Sequence, residues 1–208
     1  MTRPVLWTST RTTGTIARLV LAEAGIDHDV RFLALREGEH RQPAFLAINP
    51  KGQVPALVLA DGTVITENIA IALYAALAAP GTVMPADAVG QAKTVEWLSW
   101  GVCSIVSAWQ PRFMPSRFTT GGEEAEAAVA EAAEDRAAES LDLAEAALEG
   151  RETLLGGAPT AADMMLLFIT TMGSLLGIGG DTPNLAAHRA RMAARPKVAA
   201  ILAEEGLA

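Results

Sequence analysis

Residues 49–71 run Asn49-Pro-Lys-Gly-Gln-Val-Pro-Ala-Leu57, continue through Asp61-Gly62, and close on Thr66-Glu-Asn-Ile-Ala-Ile71. A proline has no backbone N–H to donate, so Val54-Pro55 marks a tight turn just ahead of a strand, a place where a cis bond is tolerated. Ala56 to Leu59 and Thr63 to Ile65 are apolar runs on either side of Asp61-Gly62, a strong hairpin signal. Thr66 to Ala78 then takes on helical spacing. Turn, strand, hairpin, strand and helix follow one another without a break.

Upstream, Pro4 to Thr8 reads as a short strand. Thr15 to Ala24 carries apolar residues at helical spacing through Ile16, Leu19, Val20 and Ala24, and Gly25 stops it. His28 to Leu35 supplies a second strand and Ala44 to Ile48 a brief helical turn. The order β-α-β-α-β-β-α is that of a small mixed sheet with a crossover, the thioredoxin-like arrangement.

Downstream, Pro80-Gly81 and Pro85 punctuate a linker, after which the pattern is helix upon helix. Ala88 to Ser107 predicts one long helix. Glu123 to Gly150 predicts another, with ten acidic residues against one basic, packing through Val129, Leu141 and Leu148. Thr160-Ala-Ala-Asp163 is a capping-box variant at the head of the apolar stretch Met164 to Gly180. That stretch falls short of a membrane span and predicts a buried helix. A last helical segment runs from Ala186 to Leu202, interrupted by Pro196. The expected fold is therefore α/β plus all-α: a thioredoxin-like domain at 1–79, a linker at 80–87 and an all-helical domain at 88–208.

The 208 residues, 50% hydrophobic and 19% charged, suffice for sizeable cores and exclude a disordered chain. The net charge of -8 argues against binding nucleic acid through its phosphates. All of that excess falls after residue 79, since residues 1–79 carry seven basic and seven acidic side chains. A single cysteine, Cys103, permits no internal disulfide and no cysteine-held metal, and is expected to be a buried packing residue. With no apolar leader at Met1, a cytoplasmic, membrane-free protein is expected.

The segment from Asn49 to Ile71, together with Thr160–Asp163 and Ala194-Arg-Pro-Lys197, resembles the cytosolic glutathione S-transferase family, with bacterial theta- and beta-like features. The resemblance spans nearly the whole chain in the right order. It implies glutathione as co-substrate, no metal, a homodimer, and a small electrophile as second substrate. It also implies roles for particular residues. Pro55 is cis in the family, which opens the Val54 backbone to pair with the cysteinyl backbone of glutathione like an added strand. Glu67 and Asn68 open a helix whose free N–H groups favour an anion, so they are assigned the γ-glutamyl ammonium and carboxylate. His40, in Gly38-Glu-His-Arg-Gln-Pro-Ala-Phe-Leu46, and Gln53 are assigned the glycyl end, with Arg41 and Lys51 adding positive charge. Without the family, Thr66 and Glu67 read simply as a helix cap, and Val54-Pro55 as a turn.

Thiol chemistry needs the thiolate, and lowering a thiol pKa by about two units takes roughly 2.7 kcal/mol. One hydrogen bond to the anion, worth about 1.5–3 kcal/mol, covers most of that. The family places Tyr, Ser or Cys at the end of the first strand for this purpose; here the loop reads Trp7-Thr-Ser-Thr-Arg-Thr-Thr-Gly-Thr15. Ser9 ranks first for the role, then Thr13 and Thr10, with Arg11 as an alternative through charge. The same residues also read as a hydroxyl-rich turn that caps the first helix. Beta-class chemistry would need a Cys near Thr13 and a His where Val106 stands. Trp109, Arg112 and Phe113 are assigned to the second-substrate pocket. A non-catalytic glutathione-transferase-like scaffold and a glutathione-dependent isomerase or lyase are the other functions compatible with these residues.

Overall fold

The computed structural model describes residues 3–208. Its contacts fall into two units: residues up to Gln91 together with Ala193–Ala208, and Ala92–Met192.

The first unit is built on strands β1 (Val5–Thr8), β2 (Asp29–Phe32), β3 (Ala56–Val58) and β4 (Val64–Thr66). They form one sheet in the order β2-β1-β3-β4. Helix α1 (Gly14–Glu23) makes the crossover between the parallel strands β1 and β2, while β3 runs antiparallel to both β1 and β4. Side chains alternate across a strand, and the register uses that. Leu6 sits opposite Leu57, and both are fully buried with Ile16 and Leu19 of α1 and Ile71 of α3 (Asn68–Ala78). Trp7 sits opposite Ala56 and joins Leu33 and Phe45, the latter from the short helix α2 (Pro43–Leu46), in a second cluster. The hairpin forms where Asp61-Gly62 predicts it. Gly62 takes φ +87°, and the Asp61 carboxylate accepts the Thr63 N–H at 2.9 Å.

The second unit holds most of α4 (Ala88–Trp100), then α5 (Ser107–Phe113), α6 (Glu123–Ala147), α7 (Ala161–Leu176) and α8 (Pro183–Ala193). Where one continuous helix is expected from Ala88 to Ser107, the chain instead passes through a π-helical turn at Gly101–Val106. A Cβ at Gly101 would collide with the Met165 sulfur of α7, so the backbone comes close there. The α6 seam is made by Ala133, Ala137, Leu141 and Ala144, with Leu148 beyond it; Val129 is only half-buried. Alanines form most of this seam because small side chains let helices approach closely.

The capping box of α7 forms as its residues predict. The Asp163 carboxylate accepts the Thr160 N–H at 2.7 Å and its hydroxyl at 2.9 Å, and the Leu154 N–H at 2.9 Å. It also lies 3.1 Å from His188 Nε2 of α8. Among the described residues no helix is long and apolar enough to cross a membrane.

Pro196 separates α8 from α9 (Pro196–Glu205), and α9 returns to the first unit, lying antiparallel on α1. Lys197 Nζ donates to the Ala22 carbonyl at 2.9 Å and Arg195 Nε to Glu23 at 2.8 Å, both where α1 ends. The segment Ala194–Lys197 thereby gains a physical role: its two basic side chains fasten the final helix.

Candidate functional site

The register brings the key loops to one end of the sheet. Trp7 pairs with Ala56 and Ala56 with Thr66, so Ser9, Val54-Pro55 and Glu67, just past those positions, gather at the same edge. The Val54-Pro55 bond is cis. The approach to it is shaped by Asn49, a buried residue for which the sequence reading assigned no task. Its Nδ2 donates to the Gln53 carbonyl at 2.6 Å, and its Oδ1 accepts the Lys51 N–H at 3.2 Å. Gly52, at φ +60°, closes the turn; a Cβ there would come within 3.0 Å of the His40 carbonyl. The 49–53 loop therefore lies directly against His40 and Arg41.

Lys51 links this loop to the head of α3. Its ammonium donates to Thr66 Oγ1 at 2.8 Å and pairs with Glu67 Oε1. Glu67 sits at φ +73°, a left-handed conformation rare for a residue with a side chain. No side chain caps α3, so the alternative of Thr66 and Glu67 as a plain helix cap is not formed; both instead face Lys51, and the first amides of α3 are left open to an anion. Asn68, the first residue of α3, is buried with Oδ1 unpartnered among the described residues, and so is His40 Nδ1. Gln53 is exposed. His40, Gln53, Val54, Pro55, Glu67 and Asn68 are thus brought together around one edge, with the Lys51 and Arg41 charges among them.

The loop after β1 is the other wall. The Thr12 hydroxyl donates to the Ser9 carbonyl at 2.7 Å and accepts the Gly14 N–H at 3.2 Å, closing a compact turn. Gly14 is required because a Cβ there would run into the buried Thr8 hydroxyl. Thr12 and Gly14 escaped the sequence reading; a small residue directly after a run of hydroxyls was the only signal. Ser9 and Thr13 are half-buried and Thr10 is exposed. Thr13 holds the N-cap position of α1 without a side-chain bond. The Arg11 guanidinium is not free: Nε donates to the Glu205 carbonyl at 3.0 Å and Nη2 to the Gly206 carbonyl at 2.9 Å.

In the second unit, Trp109 is buried, its ring edge 3.3 Å from where a Gly173 Cβ would stand. Arg112 pairs with Glu134 of α6, and Phe113 is exposed. A groove of about 550 Å³ in this unit is lined by Cys103, Ser107, Pro111, Phe118 and Arg136 rather than by those three. Cys103, expected to be buried, is exposed: the buried stripe of this stretch runs through Leu98, Gly101, Ile105 and Trp109, and Cys103 lies off it. Among the described residues there is no group of three His, Cys, Asp or Glu placed to hold a metal ion.

Comparison with known proteins accords with this geometry. Residues 10–77 match the model of the glutathione S-transferase N-terminal domain, and residues 104–196 that of the C-terminal domain. The chain is 32% identical to Glutathione S-transferase GstA of Escherichia coli O157:H7 over 166 residues, 78% of this chain and 79% of that protein. It is 35% identical to Glutathione S-transferase 3 of Zea mays, over 85% and 82% of the two chains. A sphingomonad glutathione S-transferase solved in complex with glutathione superposes with a TM-score of 0.82 at 30% identity, covering 98% of this chain and 100% of the other.

Proposed function

Because the chain belongs to the glutathione S-transferase family, we propose that it binds glutathione at the edge formed by His40, Val54-Pro55 and Glu67-Asn68 and conjugates its thiolate to a small electrophile. The observation that carries this reading is the convergence on that edge of a β-strand start, an uncapped helix N-terminus and an acidic side chain. These are the three groups an anionic, peptide-like ligand with a free ammonium needs.

The γ-glutamyl carboxylate meets the open N–H groups of α3 and accepts a hydrogen bond from the Asn68 Nδ2 amide. Its ammonium takes Glu67, whose Oε1 is shared with Lys51 and whose Oε2 remains available. The cysteinyl backbone pairs with Val54. The glycyl carboxylate meets His40 and Gln53, with Arg41 and Lys51 supplying attraction in an otherwise acidic protein. The sphingomonad neighbour's bound glutathione supports the same ligand here.

This placement sets the sulfur beside the loop after β1. Ser9 donates its hydroxyl proton to the thiolate as a hydrogen bond, lowering the thiol pKa, and holding the sulfur near the electrophile supplies the rest of the rate. Arg11 shapes the loop in this reading instead of acting through charge, because its guanidinium is engaged at Glu205 and Gly206. The exposed apolar side chains Val64, Leu73 and Leu77 on β4 and α3 support a homodimer through that face.

The test is Ser9→Ala beside Thr13→Val. Ser9→Ala is expected to leave the glutathione Kd within about twofold while turnover with a model electrophile falls by tenfold or more, the loss of about 1.4 kcal/mol of thiolate stabilisation. Full turnover in Ser9→Ala combined with loss in Thr13→Val would move the role to Thr13.

A further inference from the structure

The loop after β1 is held from the far end of the sequence. Glu205 is 3% exposed, and its carboxylate is bonded on both oxygens. Oε1 accepts Arg18 Nη1 at 2.6 Å, and Oε2 accepts the Thr15 hydroxyl at 2.6 Å and the Arg11 backbone N–H at 2.9 Å. A buried carboxylate is costly unless it is paired. Arg18, itself 4% exposed and also paired with Glu204, supplies that pairing from within α1.

Arg11 is the residue this arrangement constrains. It stands at φ +56°, one of two side-chain-bearing residues in the left-handed region among those described. Three bonds hold it there: its N–H to the Glu205 side chain, Nε to the Glu205 carbonyl and Nη2 to the Gly206 carbonyl. The receiving surface is shaped to match. Gly206 ends α9 in a left-handed conformation, and a Cβ on it would stand 2.6 Å from Arg11 Nη2. The other end of α9 is anchored on α1 through Arg195 and Lys197, so Glu205 is presented from a helix fixed at both ends.

We propose that Glu205 is a positioning residue for the transferase reaction: by holding Arg11 in the left-handed region it fixes the turn between Ser9 and Thr13, and with it the direction of the Ser9 hydroxyl. The inference rests on the function proposed above and adds to it a residue that never touches substrate. The turn runs Ser9-Thr-Arg-Thr-Thr13, and the Thr12 hydroxyl bonds the Ser9 carbonyl across Arg11. Releasing φ at Arg11 breaks that closure. Glutathione-contacting residues from His40 to Asn68 lie on other elements, so binding survives while activation of the sulfur does not.

The test compares wild type, Glu205→Gln, and the double variant Glu205→Gln/Arg11→Gly. Three quantities are measured: amide hydrogen exchange of the 8–15 segment without ligand, kcat and KM for glutathione, and the pH titration of the bound thiolate's ultraviolet absorbance. Glu205→Gln is expected to speed exchange at Arg11, to lower kcat about tenfold (~1.4 kcal/mol) with KM within twofold, and to move the thiolate titration to higher pH. Glycine adopts positive φ without penalty, so the double variant is expected to recover a large part of kcat and the titration midpoint. A merely structural Glu205 would give no such rescue, and that result overturns the proposal. So does faster exchange with an unshifted thiolate titration. If Glu205→Gln fails to fold, Gly206→Ala presses on the Arg11 head group while sparing the Arg18 pair, and the same exchange and titration changes are required of it. A wild type that binds glutathione without any thiolate band refutes the function proposed above and this role with it. Exchange at Arg11 still reads the hold of Glu205 on the loop separately, so the two failures are told apart.

Discussion

Replacing Asp163 should remove a large share of the stability of the second unit. The carboxylate is fully buried and accepts two backbone N–H groups, those of Leu154 and Thr160, besides the Thr160 hydroxyl and its contact with His188. In Asp163→Ala the hydroxyl can rotate to another acceptor, but the two backbone donors cannot move without unwinding the start of α7. Each buried donor left unpaired costs about 1–3 kcal/mol, so the pair costs about 2–6 kcal/mol before the stranded imidazole is counted. Against a usual total of about 5–15 kcal/mol, that is a substantial fraction. Asp163→Asn keeps one accepting oxygen and turns an N–H toward the donors on the other side, so roughly half the loss is expected. Urea unfolding followed by circular dichroism reads this directly. With m near 2 kcal/mol/M, Asp163→Ala moves the midpoint down by about 1–3 M with m unchanged. A midpoint within about 0.2 M of wild type would refute the reasoning, since the network would then be contributing nothing.

Three further outcomes follow from the first unit. Glu67→Ala should weaken glutathione binding by about ten- to a hundredfold, the worth of a charge-assisted hydrogen bond. It should leave the melting temperature nearly unchanged, because its exposed pair with Lys51 contributes under about 1 kcal/mol; calorimetric titration and a thermal melt separate the two. Leu73→Glu combined with Leu77→Glu should shift the sedimentation coefficient from dimer to monomer if the exposed α3 face is the contact. The backbone N–H and the hydroxyl of Thr63 hold the Asp61 carboxyl below the usual aspartate range. A depressed carboxyl pKa stabilises the fold above the unfolded value and loses that contribution as pH falls through the folded one. Asp61→Ala should therefore differ from wild type in stability at neutral pH and converge with it in strong acid, measured by melts across that range.

Much of this was legible in the sequence because its determinants are local. Val54-Pro55, Asp61-Gly62 and Thr160–Asp163 each act within a few residues, and each forms the turn, hairpin or cap its chemistry dictates. The convergence of His40, Val54, Glu67 and Asn68 also followed, through the family resemblance that orders those segments. What stayed hidden is non-local. Nothing in the spacing around Arg18 or Glu205 announces a partner 187 positions away, so the return of α9 to α1 could not be read. Gly101 looks like a tolerated small residue in a helix, and only the fold shows Met165 packed against it where the π-turn begins. Cys103 is expected inside because free cysteines are usually buried, whereas it lies off the buried stripe of Leu98, Gly101, Ile105 and Trp109. The alternative of a plain helix cap at Thr66 and Glu67 is not formed for a related reason: Lys51, from the preceding loop, takes both side chains.

The central claim is that the Val54–Glu67 edge binds glutathione and that the loop at Ser9 activates its sulfur. Calorimetric titration of the protein with glutathione, followed in the same sample by an ultraviolet difference spectrum for thiolate, tests both halves at once. Stoichiometric binding with a thiolate band near neutral pH is the predicted result. Binding without that band would contradict the assignment of an activating hydroxyl, and no heat of binding at millimolar glutathione would contradict the site itself.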